Sequence, residues 1–179
     1  MRRRILLVFS LILVAGVACI IPGSPAKEFL TDKEIAAIQD AQAIDLRVLI
    51  YMDAAKLRLK TAEDRLAGKE SQEGDPLEFF APEDLLDGYY RILKSVMANL
   101  EAAHQQGVRE QKNVQKALKT LKSATEAMSK KLDVLKKIAE EKKKEKLWNL
   151  VNQAIDITRG AHEGAEYGLS PISTSPKKQ

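Results

Sequence analysis

The chain has 179 residues, 45% apolar and 5% aromatic, with 29 Lys+Arg, 25 Asp+Glu, two His and one Cys. Its net charge of +4 rests on Arg2, Arg3 and Arg4, without which the balance is 26 basic against 25 acidic, so bulk charge does not mark a nucleic-acid binder. One cysteine excludes a disulfide framework and a Cys-rich zinc site, and the apolar content excludes a wholly disordered chain.

The N-terminus predicts a secretory leader. Arg2 to Arg4 precede the uncharged run Ile5 to Ile21, and Pro22-Gly23-Ser24-Pro25-Ala26 comes next, before charge returns at Lys27-Glu28. A basic start, an apolar middle and a small-residue exit make a signal peptide over 1–26, with Ala26 at −1 and Ser24 at −3 of the cleavage site. Two alternatives stand beside it. Gly16-Val17-Ala18-Cys19 resembles a bacterial lipoprotein signal, which makes Cys19 a candidate for lipidation. The run 5–21 also reaches roughly 26 Å as a helix, just short of a bilayer core, and could act as an uncleaved anchor. In each case the rest of the chain is expected outside the cytoplasm, periplasmic or extracellular, and membrane contact is expected only through this segment or its lipid.

The remainder predicts an all-α protein. No stretch alternates as a strand does, neither Gly nor Pro occurs from Val108 to Arg159, and Ala, Leu, Lys, Glu and Gln dominate. The expectation is an antiparallel bundle of three or four long amphipathic helices over 27–169, with a disordered tail over 170–179 rich in Ser, Pro and Lys.

Thr31-Asp32-Lys33-Glu34 is a capping box, with Leu30 and Ile35 placed for a hydrophobic staple. From there one helix is expected over Asp32 to Ala67, with Gly68 at its C′ position. Its seam is Ile38, Ala41, Asp45, Val48, Met52, Ala55, Leu59, Ala62 and Leu66, widened by Ile44 and Leu49. Asp45 is the polar member of that seam. It either pairs with a basic residue of the C-terminal half or sits at the margin as Ile44 and Leu49 turn inward, and the wide apolar face favours the margin.

A loop over 68–81 leads to Pro82, a first helical position with Glu83-Asp84 after it at the positive end of the helix dipole. The stripe Leu86, Tyr90, Leu93, Met97, Leu100 and His104 fades near Gly107. It resumes in phase as Val114, Leu118, Leu121, Thr125, Met128, Leu132, Leu135 and Ala139. Retained phase suits one rod; burial of so long an apolar stripe needs neighbours and favours a turn near Gly107. The turn is the expectation. The polar run 140–146 reads as a solvated stretch or a link, and Trp148, Val151 and Ile155 restart the stripe. Gly160, Gly164 and Gly168 are expected to fray the C-terminal end of this last helix.

Charge is sorted along the chain. Residues 27–101 hold 10 basic and 16 acidic side chains, and residues 102–179 hold 16 and 9. This arrangement favours pairing the two halves with one another.

Chemical motifs are sparse. Glu101-x-x-His104 shares a helix face as in di-iron bundles, but His162 has Arg159 where the matching Glu would stand. No Gly-x-Ser-x-Gly, His-Glu-x-x-His, Walker loop or Cys-x-x-Cys-His is present. No catalytic residue, cofactor or metal site is expected, nor a nucleic-acid partner. The basic run Lys130 to Lys146 contains favourable pairs such as Asp133–Lys137 and Glu140–Lys144, and reads as a solvated face. Phe79, Phe80, Tyr89 and Tyr90 concentrate four of the nine aromatics within twelve residues. They read as a plug for one end of the bundle or as a partner patch, with the plug preferred. The function expected is that of an exported, non-catalytic interaction module with a protein partner in the cell envelope; a membrane-tethered helical protein and a ligand- or metal-binding bundle are the alternatives.

Overall fold

The structure, a computed structural model, describes residues 28–105 and 111–170. The leader over 1–26 with Cys19, the turn point Gly107 and residues 171–179 lie outside the described residues. Five helices occur among the described residues: α1 Asp32–Asp40, α2 Ile44–Leu66, α3 Pro82–Gln105, α4 Gln111–Glu141 and α5 Glu145–Leu169. No strand is present among them.

The capping box forms as its residues dictate. The Glu34 amide donates to Thr31 Oγ1 at 3.3 Å, and the Thr31 amide donates to Glu34 Oε2 at 2.8 Å. The single long helix expected after it does not form. The chain leaves helical geometry at Ala41, with ψ 103°, and restarts at Ile44. Nothing in Ala41-Gln42-Ala43 disfavours helix, so the break is imposed from outside. Glu34 and Arg58 would lie about 36 Å apart on one continuous helix. Instead Arg58 grips Glu34 through two bonds of 2.7 Å, so α1 doubles back along α2. Leu30 and Ile38 thereby pack against the main core, although α1 itself buries no residue completely.

The chain reverses between α3 and α4, as expected of a turn. Tyr89 reaches Met128 at 3.7 Å through its hydroxyl. On one rod those residues would be roughly 58 Å apart. The link between α4 and α5 falls inside the polar run, where Lys143 takes φ 51°. Gly68 carries φ 79° just past the end of α2, the left-handed position that glycine occupies without steric penalty.

The four long helices share one apolar core running from Ile44 and Val48 through Leu93, Leu121 and Leu132 to Val151 and Ala165. Successive helices run antiparallel, but not all lateral neighbours do. Asp45 pairs with Lys116 and Glu63 with Lys131, so α2 and α4 rise side by side in the same direction. In α5, Lys146 and Leu150 lie by the start of α3 and Thr158 by Tyr89, so α3 and α5 are also parallel. The expected antiparallel bundle therefore holds for successive helices, while the lateral pairs α2–α4 and α3–α5 are parallel. The physical reason is that α3 and α4 face one another across the core rather than lying side by side.

The C-terminal helix also departs from expectation. Residues 160–168 do not fray; α5 continues to Leu169. Ala154, Thr158, Ala161 and Ala165 are buried along its inner face at spacings of three and four. These small side chains let α4 approach closely. At Gly168 an added Cβ would stand 2.8 Å from Leu118 Cδ1, and Gln115 Nε2 donates to the Gly168 carbonyl at 3.0 Å. Gly160 and Gly164 face open space.

Asp45 sits at the margin of the seam with 18% of its side chain exposed, and Lys116 Nζ lies 3.4 Å from its carboxylate. Ile44 turns into the core, whereas Leu49 does not. A partly solvated pair of this kind contributes little. Asp45→Leu is accordingly expected to change unfolding free energy by less than about 1 kcal/mol in urea titration. A loss of several kcal/mol would show that the carboxylate specifies the packing.

Candidate functional site

The aromatic cluster read from the sequence is divided by the fold. Phe79 is 81% exposed on the α2–α3 loop, and Phe80 packs partly buried against Ala62, Leu77 and Leu85. Tyr89 is buried inside the bundle, where its hydroxyl lies 2.6 Å from Thr158 Oγ1. Burial pushes the Tyr89 phenol above its ordinary range, against a smaller opposing effect of the Thr158 bond. Tyr90 points outward under Lys94, whose Nζ is 5.7 Å from the ring centroid. Helical neighbours diverge by about 100°, so Tyr89 and Tyr90 cannot share a face. The four residues therefore form neither one plug nor one patch. The residue that seals this end is Leu77, fully buried and held by Arg65 Nη2 donating to the Leu77 and Glu78 carbonyls at 3.0 and 2.8 Å.

The polar candidates separate in the same way. Glu101 and His104 are both exposed. Among the described residues no three His, Cys, Asp or Glu side chains are grouped so as to hold a metal ion. His162 instead joins α5 to α4, with Nδ1 3.1 Å from Thr125 Oγ1 and Nε2 3.6 Å from Glu166. Glu166 also accepts from Lys122 Nζ at 2.7 Å, a bond that holds its carboxyl below the usual range.

Sequence reasoning missed Arg58. It is 2% exposed, yet its donors are met. Nε donates to the Phe29 carbonyl at 2.9 Å, Nη1 to the Ala54 carbonyl at 2.9 Å, and both terminal nitrogens to Glu34. Burial alone would raise the Glu34 pKa; the bonds from Arg58 and Thr31 outweigh it and hold the carboxyl below its ordinary value. This constellation is a structural latch. Glu34 keeps 16% of its side chain exposed, while Arg58 is shut away from solvent.

A partly apolar groove lies between α2 and α4. Leu46, Leu49 and Leu57 share one side of α2, and each remains about half exposed. Leu49, with 47% exposure, borders a groove whose floor is Met52, Ala124 and Met128. Thr120, Ser123 and Ala127 complete its α4 wall, and Lys56, Lys119 and Lys131 form the rim with Asp53. The parallel pairing of α2 with α4, anchored by Asp45–Lys116 and Glu63–Lys131, holds the two walls in register. Farther along α4, Val134 is also exposed. A sequence signal for this surface existed in the surplus of apolar residues on α2: Leu46, Leu49, Ile50 and Leu57 exceed what one buried face can take. Leu49 in that set was expected to face the core.

Chemically, this groove supplies apolar area, polarizable methionine and positive charge. It contains neither a paired acid and base nor an activated nucleophile. Among the described residues no helix is long and apolar enough to cross a membrane. Comparison with protein-family models, with curated proteins and with solved structures finds no match for the chain.

Proposed function

We propose that this chain is a non-catalytic interaction module exported to the cell envelope, and that it presents the α2–α4 groove to a protein partner. The observation that carries the reading is the half-exposed Leu49 beside a groove floored by Met52, Ala124 and Met128 and rimmed with lysine. Leaving Leu46, Leu49 and Leu57 in water forgoes burial on the order of 1 kcal/mol or more each, which association with a partner recovers.

The export half of the reading rests on the residues of the leader. Arg2 to Arg4, the uncharged 5–21 run and Ala26 support a cleaved signal, and Cys19 supports the lipoprotein alternative. Intact mass of the protein isolated from its native cell is expected to match a chain beginning at Lys27. A mass retaining Arg2 to Arg4 overturns cleavage, and a diacylglyceryl adduct on Cys19 replaces it with lipid anchoring.

The interaction half is tested by a photo-crosslinking residue placed at Leu49 in living cells, with Glu126, an exposed residue of α4 on its α5 side and outside the groove, as control. A discrete adduct at position 49 is expected, absent at 126 and lost when Leu57→Asp and Leu46→Asp are added. Equal labelling at both positions would remove the groove from consideration.

A further inference from the structure

The groove is more selective than its apolar floor requires. Its wall on α4 is made of small side chains, Thr120, Ser123, Ala124 and Ala127, which allow another backbone to approach closely. Met52 and Met128 beneath them adapt to irregular apolar shapes. From Lys119 to Lys131 the wall rises about 18 Å, or three turns of helix. That length and those small side chains suit the apolar stripe of a docked helix.

Charge then selects the kind of helix. Lys131 is bonded to Glu63 at 3.1 Å, so its charge is already met. Among the described residues, no carboxylate lies within ion-pair reach of Lys56 or Lys119, which stand on opposite walls. Asp53 is the one acid in the lining, against three lysines. A second copy presenting the same groove would bring these lysines against its own, which opposes self-association. We infer that the occupant is an amphipathic helix with an apolar stripe flanked on both sides by carboxylates, one flank meeting Lys56 and the other Lys119. This inference rests on the groove being the partner surface proposed above, and adds the chemistry of the partner.

The test uses the full chain and two labelled peptides of about 18 residues, five turns of helix. Both carry leucine at spacings of three and four; one is flanked by glutamate and the other by lysine. In fluorescence anisotropy the glutamate peptide is expected to bind at least roughly tenfold more tightly than the lysine peptide. The variant Lys56→Glu with Lys119→Glu, whose changes lie on the surface, should reverse that order. Leu49→Asp should weaken both peptides while circular dichroism shows unchanged helix content.

If the two peptides bind alike, or neither binds while the Leu49 crosslink persists, the acidic-helix inference falls and the groove remains a partner surface. If the crosslink is absent as well, both readings fall. Lysine-dependent cosedimentation with vesicles of phosphatidylcholine and phosphatidylglycerol would replace the helix by a lipid surface. A Leu49-dependent dimer in sedimentation velocity would replace it by a second copy. Either result overturns the inference.

Discussion

Glu34→Gln is expected to lower the unfolding free energy by about 3 kcal/mol, a large effect for a residue on a short surface helix. Its carboxylate is the counter-charge of Arg58, which is 2% exposed and cannot turn toward water. Removing the charge leaves a guanidinium buried beside a neutral amide, and loss of one partner of a buried pair typically costs this much. The same substitution weakens the capping box, because Glu34 Oε2 also accepts from the Thr31 amide.

The pH dependence comes from the direction of the shift. The carboxyl is held below its unfolded value of 4.5, so its contribution is present above that value. The contribution is lost as pH falls through the lower, folded value. The wild-type chain should therefore lose stability below about pH 4.5, and Glu34→Gln should flatten that part of the profile. Urea titrations at several pH values read both quantities. A change under about 1 kcal/mol, with an unaltered acid limb, would show that α1 is held by Leu30 and Ile38 rather than by the latch. The double variant Glu34→Leu with Arg58→Met should regain much of the loss, since apolar replacement of both partners removes the uncompensated charge.

Leu77→Ala is expected to cost about 3 kcal/mol, whereas Phe79→Ala two residues away should stay within about 0.5 kcal/mol. Leu77 is fully buried between Ala62 and Leu85, and the ring of Phe79 stands largely in solvent. Size alone would rank the two residues the other way. Denaturant midpoints of the two variants decide the matter, because each differs from the parent at one loop position. Equal costs would mean that the aromatic ring caps the bundle after all.

The difference between these neighbours shows why the candidate site was only partly legible. A Phe-Phe pair is visible in any reading of the residues, but the backbone path of a loop decides which side chain faces inward. Here Arg65 clamps the Leu77 and Glu78 carbonyls, and Asp75 Oδ1 accepts from the Leu77 amide at 2.8 Å. Those bonds aim Leu77 at the core and Phe79 away from it. The groove was obscure for a related reason. Leu49 and Ala124 lie on separate helices, and which helix lies beside α2 is a property of topology rather than of period. Both α3 and α4 carry an apolar stripe that could have flanked it on that side.

What the sequence by itself determined is local and periodic. Thr31 and Glu34 form their capping box, Gly68 takes the left-handed turn and Pro82 opens α3; Leu86, Leu93 and Leu100 of the first stripe and all of the second but Leu118 become buried, while Tyr90, Met97 and His104 do not. Each depends on residues within a few positions of one another, so spacing carries the information. The tertiary structure alone decided three matters: the break at Ala41, the unbroken course of α5 through Gly164, and the parallel pairing of α2 with α4. In the first, a long-range ion pair between Glu34 and Arg58 overrides helix propensity worth at most a few tenths of a kcal/mol per residue. In the second, packing of Ala161 and Ala165 against α4 outweighs the entropic penalty of the exposed glycines. In the third, the charge sorting legible in the sequence is realised at Asp45–Lys116 and Glu63–Lys131, but their common direction results from α3 and α4 facing one another across the core. Sequence separation hides such choices, because the interactions that make them join residues dozens of positions apart.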